Sequence, residues 1–266
     1  MYIKQPDQAF MQQKKPFGQN FISDPGVIQA LVQAANISKS DSVLEIGPGL
    51  GKVTEELLKT TDFLISVEID WDLIPILNSK FSQVLNFQLV HKDALKFVQE
   101  LITENGFFNG KKINKLVSSL PYQITSPLLH KLPFTLNFIE KTALIIQKEV
   151  AQRIMAKTAH SNYMATFLSA FFDINYIETI EKVFFDPIPE VDGALITLTP
   201  LKKRLLNTQQ IQSFSKFLHH GFLQQRKMLN KRFDMELLEK VGIDPTRRAE
   251  TLSLKEWLKL FNLYSH

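Results

Sequence analysis

The chain has 266 residues, 44% of them hydrophobic and 22% charged, a globular composition that excludes a disordered polyelectrolyte and leaves room for one α/β domain of about 200 residues plus an appendage. It contains no cysteine, which excludes disulfides, thiolate zinc sites and cysteine nucleophiles, and no apolar run approaches the roughly 18 residues of a membrane span. The net charge of +4 is unevenly spread: residues 1–199 carry 18 basic and 21 acidic side chains, and residues 200–266 carry 13 and 6.

Residues 1–13 are polar and lack the apolar core of a signal peptide, so a cytoplasmic protein without membrane attachment is expected. Asp24 followed by Pro25 reads as a helix cap with proline at the first helical position, and Val27, Ile28, Leu31, Val32 and Ala35 then share one face of a helix over 25–36. From there short apolar runs alternate with stretches of helical length. Residues 42–46, 63–68, 87–91, 113–118 and 142–147 read as strands, the pattern of a parallel sheet wound on both faces. Helices are expected through 149–154 and 165–172, and strands near 174–184 and 193–199. Pro200 and the basic run after it mark a boundary between a domain of residues 1–200 and one of residues 201–266. In the second, Ile211, Phe214, Phe217, Leu218, Phe222, Leu237, Leu238, Val241, Leu254, Trp257, Leu258 and Phe261 fall at helical spacing. Its basic clusters include Arg226-Lys227 and Arg247-Arg248. Any one of them suits a solvated helix face, but their concentration in one short segment points to phosphates.

Chemistry gathers at the strand ends. Glu45-Ile46-Gly47-Pro48-Gly49-Leu50-Gly51 follows the first strand and opens a helix, letting the backbone turn tightly and approach a ligand. Its G-x-G-x-G spacing differs from the dinucleotide fingerprint and, with the acidic residue before it, suits adenosylmethionine, which has no pyrophosphate. Glu68 ends the second strand, where it can accept both ribose hydroxyls, and Asp93 follows the third, where it can accept from the adenine amino group. Singly, each suits a loop or a helix cap; three in succession at parallel strand ends suit a nucleoside cofactor. Ser119-Leu120-Pro121-Tyr122 follows the fourth strand. Ser119 and the Leu120 carbonyl can accept the two N–H bonds of an exocyclic amine, Pro121 fixes the turn, and Tyr122 offers a face on which an extruded base can stack. By itself this tetrapeptide favours a plainer reading, a strand ending in a proline turn with a core tyrosine.

Together these motifs resemble the ribosomal RNA adenine N6,N6-dimethyltransferases nearly end to end. Lys15-Pro16-Phe17-Gly18-Gln19-Asn20-Phe21-Ile22 is similar to the family's N-terminal motif. Ser119 to Tyr122 falls on its catalytic N-L-P-Y motif, and residues 147–154, 185–192, 224–227 and 248–253 resemble later signatures. The resemblance implies a Rossmann-like methyltransferase sheet followed by a small all-helical domain. It places cofactor contacts at Gln19, Asn20, Ile22, Glu45, Gly47, Gly49, Gly51, Glu68, Ile69, Asp93, Ala94 and Ser119, and sets Phe185 opposite Tyr122 across the target base. Four positions depart from the pattern: Ser119 stands for a usual asparagine, Glu190 for lysine, Gly193 for serine and Gln225 for arginine.

The implied reaction is methyl transfer from S-adenosyl-L-methionine to N6 of two adjacent adenosines near the 3′ end of small-subunit ribosomal RNA in a maturing 30S-type subunit. The enzyme would be monomeric and need no metal, and Arg226, Lys227, Arg247 and Arg248 would meet RNA phosphates. The competing readings are a large-subunit adenine methyltransferase of the macrolide-resistance type, a non-catalytic assembly factor, and a DNA adenine methyltransferase, which the lack of a separate DNA-reading segment disfavours.

Overall fold

The computed structural model describes residues 20–157, 160–224 and 227–264. A short strand β1 (Phe21–Ile22) leads into α1 (Pro25–Ala35), whose first turn is capped by the Asp24 carboxylate accepting from the Val27 N–H at 2.9 Å. Then follow β2 (Ser42–Ile46), α2 (Lys52–Thr60), β3 (Phe63–Glu68), α3 (Leu73–Phe81), β4 (Phe87–His91) and α4 (Ala94–Thr103). A two-residue ribbon, β5 (Phe107–Phe108) with β6 (Lys111–Lys112), precedes β7 (Lys115–Ser119), α5 (Tyr122–Lys131), β8 (Lys141–Gln147), α6 (Lys148–Ile154) and α7 (Tyr163–Ser169). The catalytic-size part ends with β9 (Phe172–Ile180), β10 (Phe185–Asp186) and β11 (Gly193–Pro200), and α8 (Ile211–Phe222), α9 (Met235–Lys240) and α10 (Leu254–Tyr264) complete the chain.

The sheet order is β4-β3-β2-β7-β8-β11-β9, parallel from β4 to β8, with β11 antiparallel to both neighbours. Alternate side chains serve two cores, as the period of two requires. Val43, Leu64, Val117, Ala143, Ile145 and Leu195 pack under α1 and α2. Leu44, Ile65, Leu116, Leu144, Ile146 and Ile196 face α4, α5 and the helices beyond Pro200. Burial on both sides explains the near-continuous apolar runs of the parallel strands. Because β2 leads outward through β3 to β4 while β7 pairs on its other side, the carboxyl ends of β2 and β7 form a topological switch point, where open α/β sheets bind ligands.

Some boundaries move from those expected. Residues 182–184 form a single 3₁₀ turn, so the strand read near 174–184 is Phe172–Ile180. The helix expected from 165 begins at Tyr163, where Asn162 caps it through the Ala165 N–H. Ile113 lies before β7 as a fully buried loop residue. Among the described residues no helix is long and apolar enough to cross a membrane.

Candidate active site

A cavity of about 300 Å³ opens at the switch point, within the range of small-ligand sites. Its floor is the glycine turn after β2. Gly47 and Gly49 take positive φ values of 65° and 57°, a region that disfavours any Cβ. The Gly47 N–H donates to the Val67 carbonyl at 2.9 Å, and the Gly49 N–H donates to the Glu68 carboxylate, so the turn is tied to β3. A Cβ at Gly49 would lie 2.5 Å from the Phe21 ring. That ring belongs to β1, which is clipped over the site by pairing Ile22 with Phe185 and Phe21 with Asp186.

Glu45 is the most unusual group in the molecule. Its Oε2 accepts from Thr54 Oγ1 at 2.8 Å and Ser66 Oγ at 2.5 Å, while Oε1 is buried with no hydrogen-bond partner. Burial pushes its carboxyl up to about 7 against those two hydrogen bonds, with the neighbouring Glu68 adding to the rise. A buried acceptor without a donor is costly, and this oxygen lies in a residue that helps to line the cavity, so Glu45 is a candidate partner for a donor group of a ligand bound there. Glu68 is also pushed up by burial, and its Oε1 accepts from the Ile69 and Asp70 N–H groups at 2.8 and 2.9 Å. Asp93 caps α4 through the Lys96 N–H at 2.9 Å while lining the same cavity.

The opposite wall comes from β7. Ser118 is fully buried and donates to the Ile46 carbonyl at 2.5 Å, fastening the ends of β2 and β7 together. Ser119 is therefore held half-buried in the cavity wall with Pro121 beside it. The Leu120 N–H donates to the Ile145 carbonyl at 3.0 Å, and the Leu120 side chain enters the core. Tyr122 begins α5, and its hydroxyl is buried without a partner. Burial, then the negative charge of Asp192, raise its phenol above the usual range.

Of the residues singled out in the sequence, Asn20, Ile22, Glu45, Gly47, Gly49, Glu68, Ile69, Asp93, Ala94, Ser119 and Pro121 line this one cavity. Four lie outside its lining. Gly51 starts α2 against Phe81, 2.7 Å from where its Cβ would stand, so it shapes the turn. Leu120 is buried in the core, Tyr122 is partly exposed between the lining residues Pro121 and Gln123, and Phe185 is 4% exposed, packed among Ile22, Ile145 and Ile180. Gln19 and Arg226 fall outside the described residues. Lining residues that sequence reasoning missed include Phe21, Lys52, Lys92 and Gln123; for Phe21 the aromatic between Asn20 and Ile22 was an available signal.

In the second half of the chain, an antiparallel bridge pairs Met228 with Arg248, and the Leu229 N–H donates to the Arg247 carbonyl at 2.8 Å, so the segment that carries Lys227 runs beside the one that carries Arg247 and Arg248. Lys227 and Arg248 are exposed. Arg247 is half-buried and engaged, donating to Glu256 at 2.5 Å and to the Thr251 carbonyl at 2.5 Å, so it works as an internal clasp.

A parallel sheet with one reversed strand near its edge, a glycine turn and carboxylates at consecutive strand ends, and a polar-Leu-Pro-Tyr turn beside them define a nucleoside-handling enzyme of the Rossmann-like α/β class. The fold is similar to a dimethyladenosine transferase from Plasmodium falciparum (TM-score 0.78, 23% identity, 92% of this chain and 97% of that one). It is also similar to the 23S rRNA methyltransferase ErmE (TM-score 0.70, 22% identity, 93% and 100%). In sequence, the chain is 37% identical to the ribosomal RNA small subunit methyltransferase A of Sulfurihydrogenibium sp. (strain YO3AOP1), over 94% of this chain and 95% of that protein. Its counterpart from Persephonella marina is 36% identical over 95% of each. The family model for ribosomal RNA adenine dimethylase matches residues 10–266. The chain belongs to the ribosomal RNA adenine dimethylase family and is an rRNA adenine methyltransferase.

Proposed function

We propose that this enzyme uses S-adenosyl-L-methionine to dimethylate N6 of two adjacent adenosines near the 3′ end of small-subunit ribosomal RNA, within a cytoplasmic, maturing 30S-type subunit. The observation that carries the cofactor reading is the unpartnered Oε1 of Glu45 in the cavity wall, which suits the α-ammonium of an amino acid. The small-subunit reading draws on the relatives' names, since those proteins are small subunit methyltransferases; the large-subunit alternative draws on a likeness of fold at 22% identity.

Bound adenosylmethionine supplies an electrophilic methyl group on sulfur. Glu45 and the Gly47–Gly49 turn hold its amino-acid end, Glu68 the ribose, and Asp93 and Ala94 the adenine. Ser119 Oγ and the Leu120 carbonyl accept the N–H bonds of the target amine, aiming its lone pair at the methyl group. Tyr122 and Phe185 flank the base, and the proton of the quaternised nitrogen leaves to water. Holding the two reactants in line in this way can lower the barrier by roughly 7–11 kcal/mol.

Undermethylated small subunits incubated with labelled adenosylmethionine should yield dimethyladenosine, and large subunits should not; label confined to large subunits would overturn the proposal. Ser119→Ala should lower the rate roughly 10²- to 10³-fold, as loss of one preorganised acceptor does, with unchanged cofactor affinity. Equal turnover by this variant would remove Ser119 from the mechanism.

A further inference from the structure

Gly193, the first residue of β11, is in regular register with Gln147 and Ile180 and has no positive φ, so its backbone does not call for glycine. Space does. A Cβ there would meet the Phe185 ring tip at 3.2 Å, Ile145 Cγ2 at 3.3 Å and Ile180 Cβ at 3.4 Å. A glycine inside a strand often marks such a close approach. Ile145 is held in the central strand β8, and Ile180, the last residue of the edge strand β9, is held by its pairing with Gly193. The backbone at Phe185 is pinned by its pairing with Ile22 and by the Ser23 N–H donating to the Phe184 carbonyl at 2.8 Å. The Phe185 ring is thus the part free to yield. Without a Cβ at 193 it lies recessed and 4% exposed.

The other side of the same β8 residue leads to Ser119. Ile145 pairs with Ser119, and its carbonyl accepts from the Leu120 N–H. Serine's oxygen stands one bond nearer the backbone than the oxygen of an asparagine, drawing the amine acceptor back as well. We propose that Gly193 is a positioning residue for the target base, acting through Phe185, and that it forms a matched pair with Ser119: recession of the ring deepens the slot so that the base amine reaches the shorter acceptor. The idea rests on the base-flanking role given to Phe185 above.

The test is a double-mutant cycle of Ser119→Asn and Gly193→Ser, with Gly193→Ala as a milder substitute, read as initial rates on undermethylated small subunits and as cofactor affinity. Each single variant should be about 10-fold slower and the double variant should recover to within about 3-fold of wild type, a coupling of the size found between residues joined through a shared cavity. Cofactor affinity should stay unchanged in Gly193→Ser and Gly193→Ala, which a general disturbance of the fold would not allow. Losses that multiply, or a Ser119→Asn enzyme at least as fast as wild type, would overturn the pairing. A crystal structure of the Gly193→Ser protein should show the Phe185 ring displaced toward the cavity, and an unmoved ring would overturn the proposal whatever the activity. Absence of methylation by the wild-type protein would instead count against the substrate reading, with the ring position still deciding this one.

Discussion

At the scale of single residues, Glu45 controls the most measurable behaviour. Its folded-state pKa of about 7 lies above the ordinary 4.5, so the group favours the folded protein below pH 4.5. That advantage is lost as pH rises through about 7, when a proton must leave a buried carboxyl. The shift corresponds to roughly 3 kcal/mol in the ligand-free protein. Glu45→Gln keeps an oxygen for Thr54 and Ser66 and removes the charge, so thermal stability at pH 8 should rise relative to wild type and match it near pH 4. The same charge should attract the cofactor's ammonium group. Wild-type affinity for adenosylmethionine, measured by calorimetry, should therefore tighten as pH rises through about 7, and Glu45→Gln should flatten that profile and weaken binding roughly 10- to 100-fold at pH 8. A flat wild-type profile would exclude Glu45 as the ammonium partner. The carboxylates at strand ends were legible in the sequence because β2, β3 and β4 are apolar runs that stop at them. The orphan oxygen of Glu45 and the recession of Phe185 were not, since both depend on what β8, β11 and α2 bring alongside.

At the scale of elements, β2, β3 and β4 match the sequence reading to the residue: β2 and β3 are buried along almost their whole length and read as mostly apolar runs, and β4, at the sheet edge and partly buried throughout, still keeps Phe87, Leu89 and Val90. The pairs β1–β10 and β5–β6 escaped it, since two-residue strands carry no period. Yet β1–β10 is what lays Phe21 across Gly49. The loop before α10 shows a second limit of pattern reading. Arg247 looks like one half of a basic pair, whereas its guanidinium binds Glu256, which also accepts from the Ser253 N–H and hydroxyl. Burial raises the Glu256 carboxyl, but Arg247 and Ser253 outweigh it and hold it at about 2. Its contribution is therefore present above pH 4.5 and lost as pH falls toward 2. Glu256→Gln should destabilise the protein at pH 7 by about 1 to 2 kcal/mol in urea titrations, after allowance for partial solvent screening. The exposed neighbours behave differently. Lys227→Ala with Arg248→Ala should leave stability unchanged and reduce the slope of log affinity for RNA against log salt by about 2; an unchanged slope would place the phosphates elsewhere.

For the whole molecule, the boundary drawn at Pro200 from composition and charge is crossed by packing. One apolar cluster runs from Leu44 and Ile146 in the sheet through Phe167 and Phe171 to Phe214, Trp257 and Phe261 in α8 and α10. The rings of Phe171 and Phe214 meet edge to face at 6.4 Å. Polar ties follow the same seam: the Leu201 N–H donates to the Phe171 carbonyl at 2.9 Å, Arg204 to the Leu136 carbonyl at 2.9 Å, and the Tyr163 hydroxyl lies 2.8 Å from Ser215 Oγ. Within the tail, Trp257 packs so closely on Gly221 that a Cβ there would stand 2.5 Å from the indole. Each aromatic that removal of the tail would leave in water, such as Phe167 or Phe171, would cost about 1.5–3 kcal/mol, so that a few together are comparable with the roughly 5–15 kcal/mol that holds a typical domain folded. The basic helices thus pack against the sheet part through a shared apolar seam, and their charge marks them as a separate patch. The full chain should melt in one calorimetric transition with van't Hoff and calorimetric enthalpies in agreement, and a chain ending at residue 200 should fail to give a cooperative transition or bind adenosylmethionine. Two resolved transitions, or a soluble truncated protein with native cofactor affinity, would show that the seam between the sheet and α8 contributes little to holding the fold.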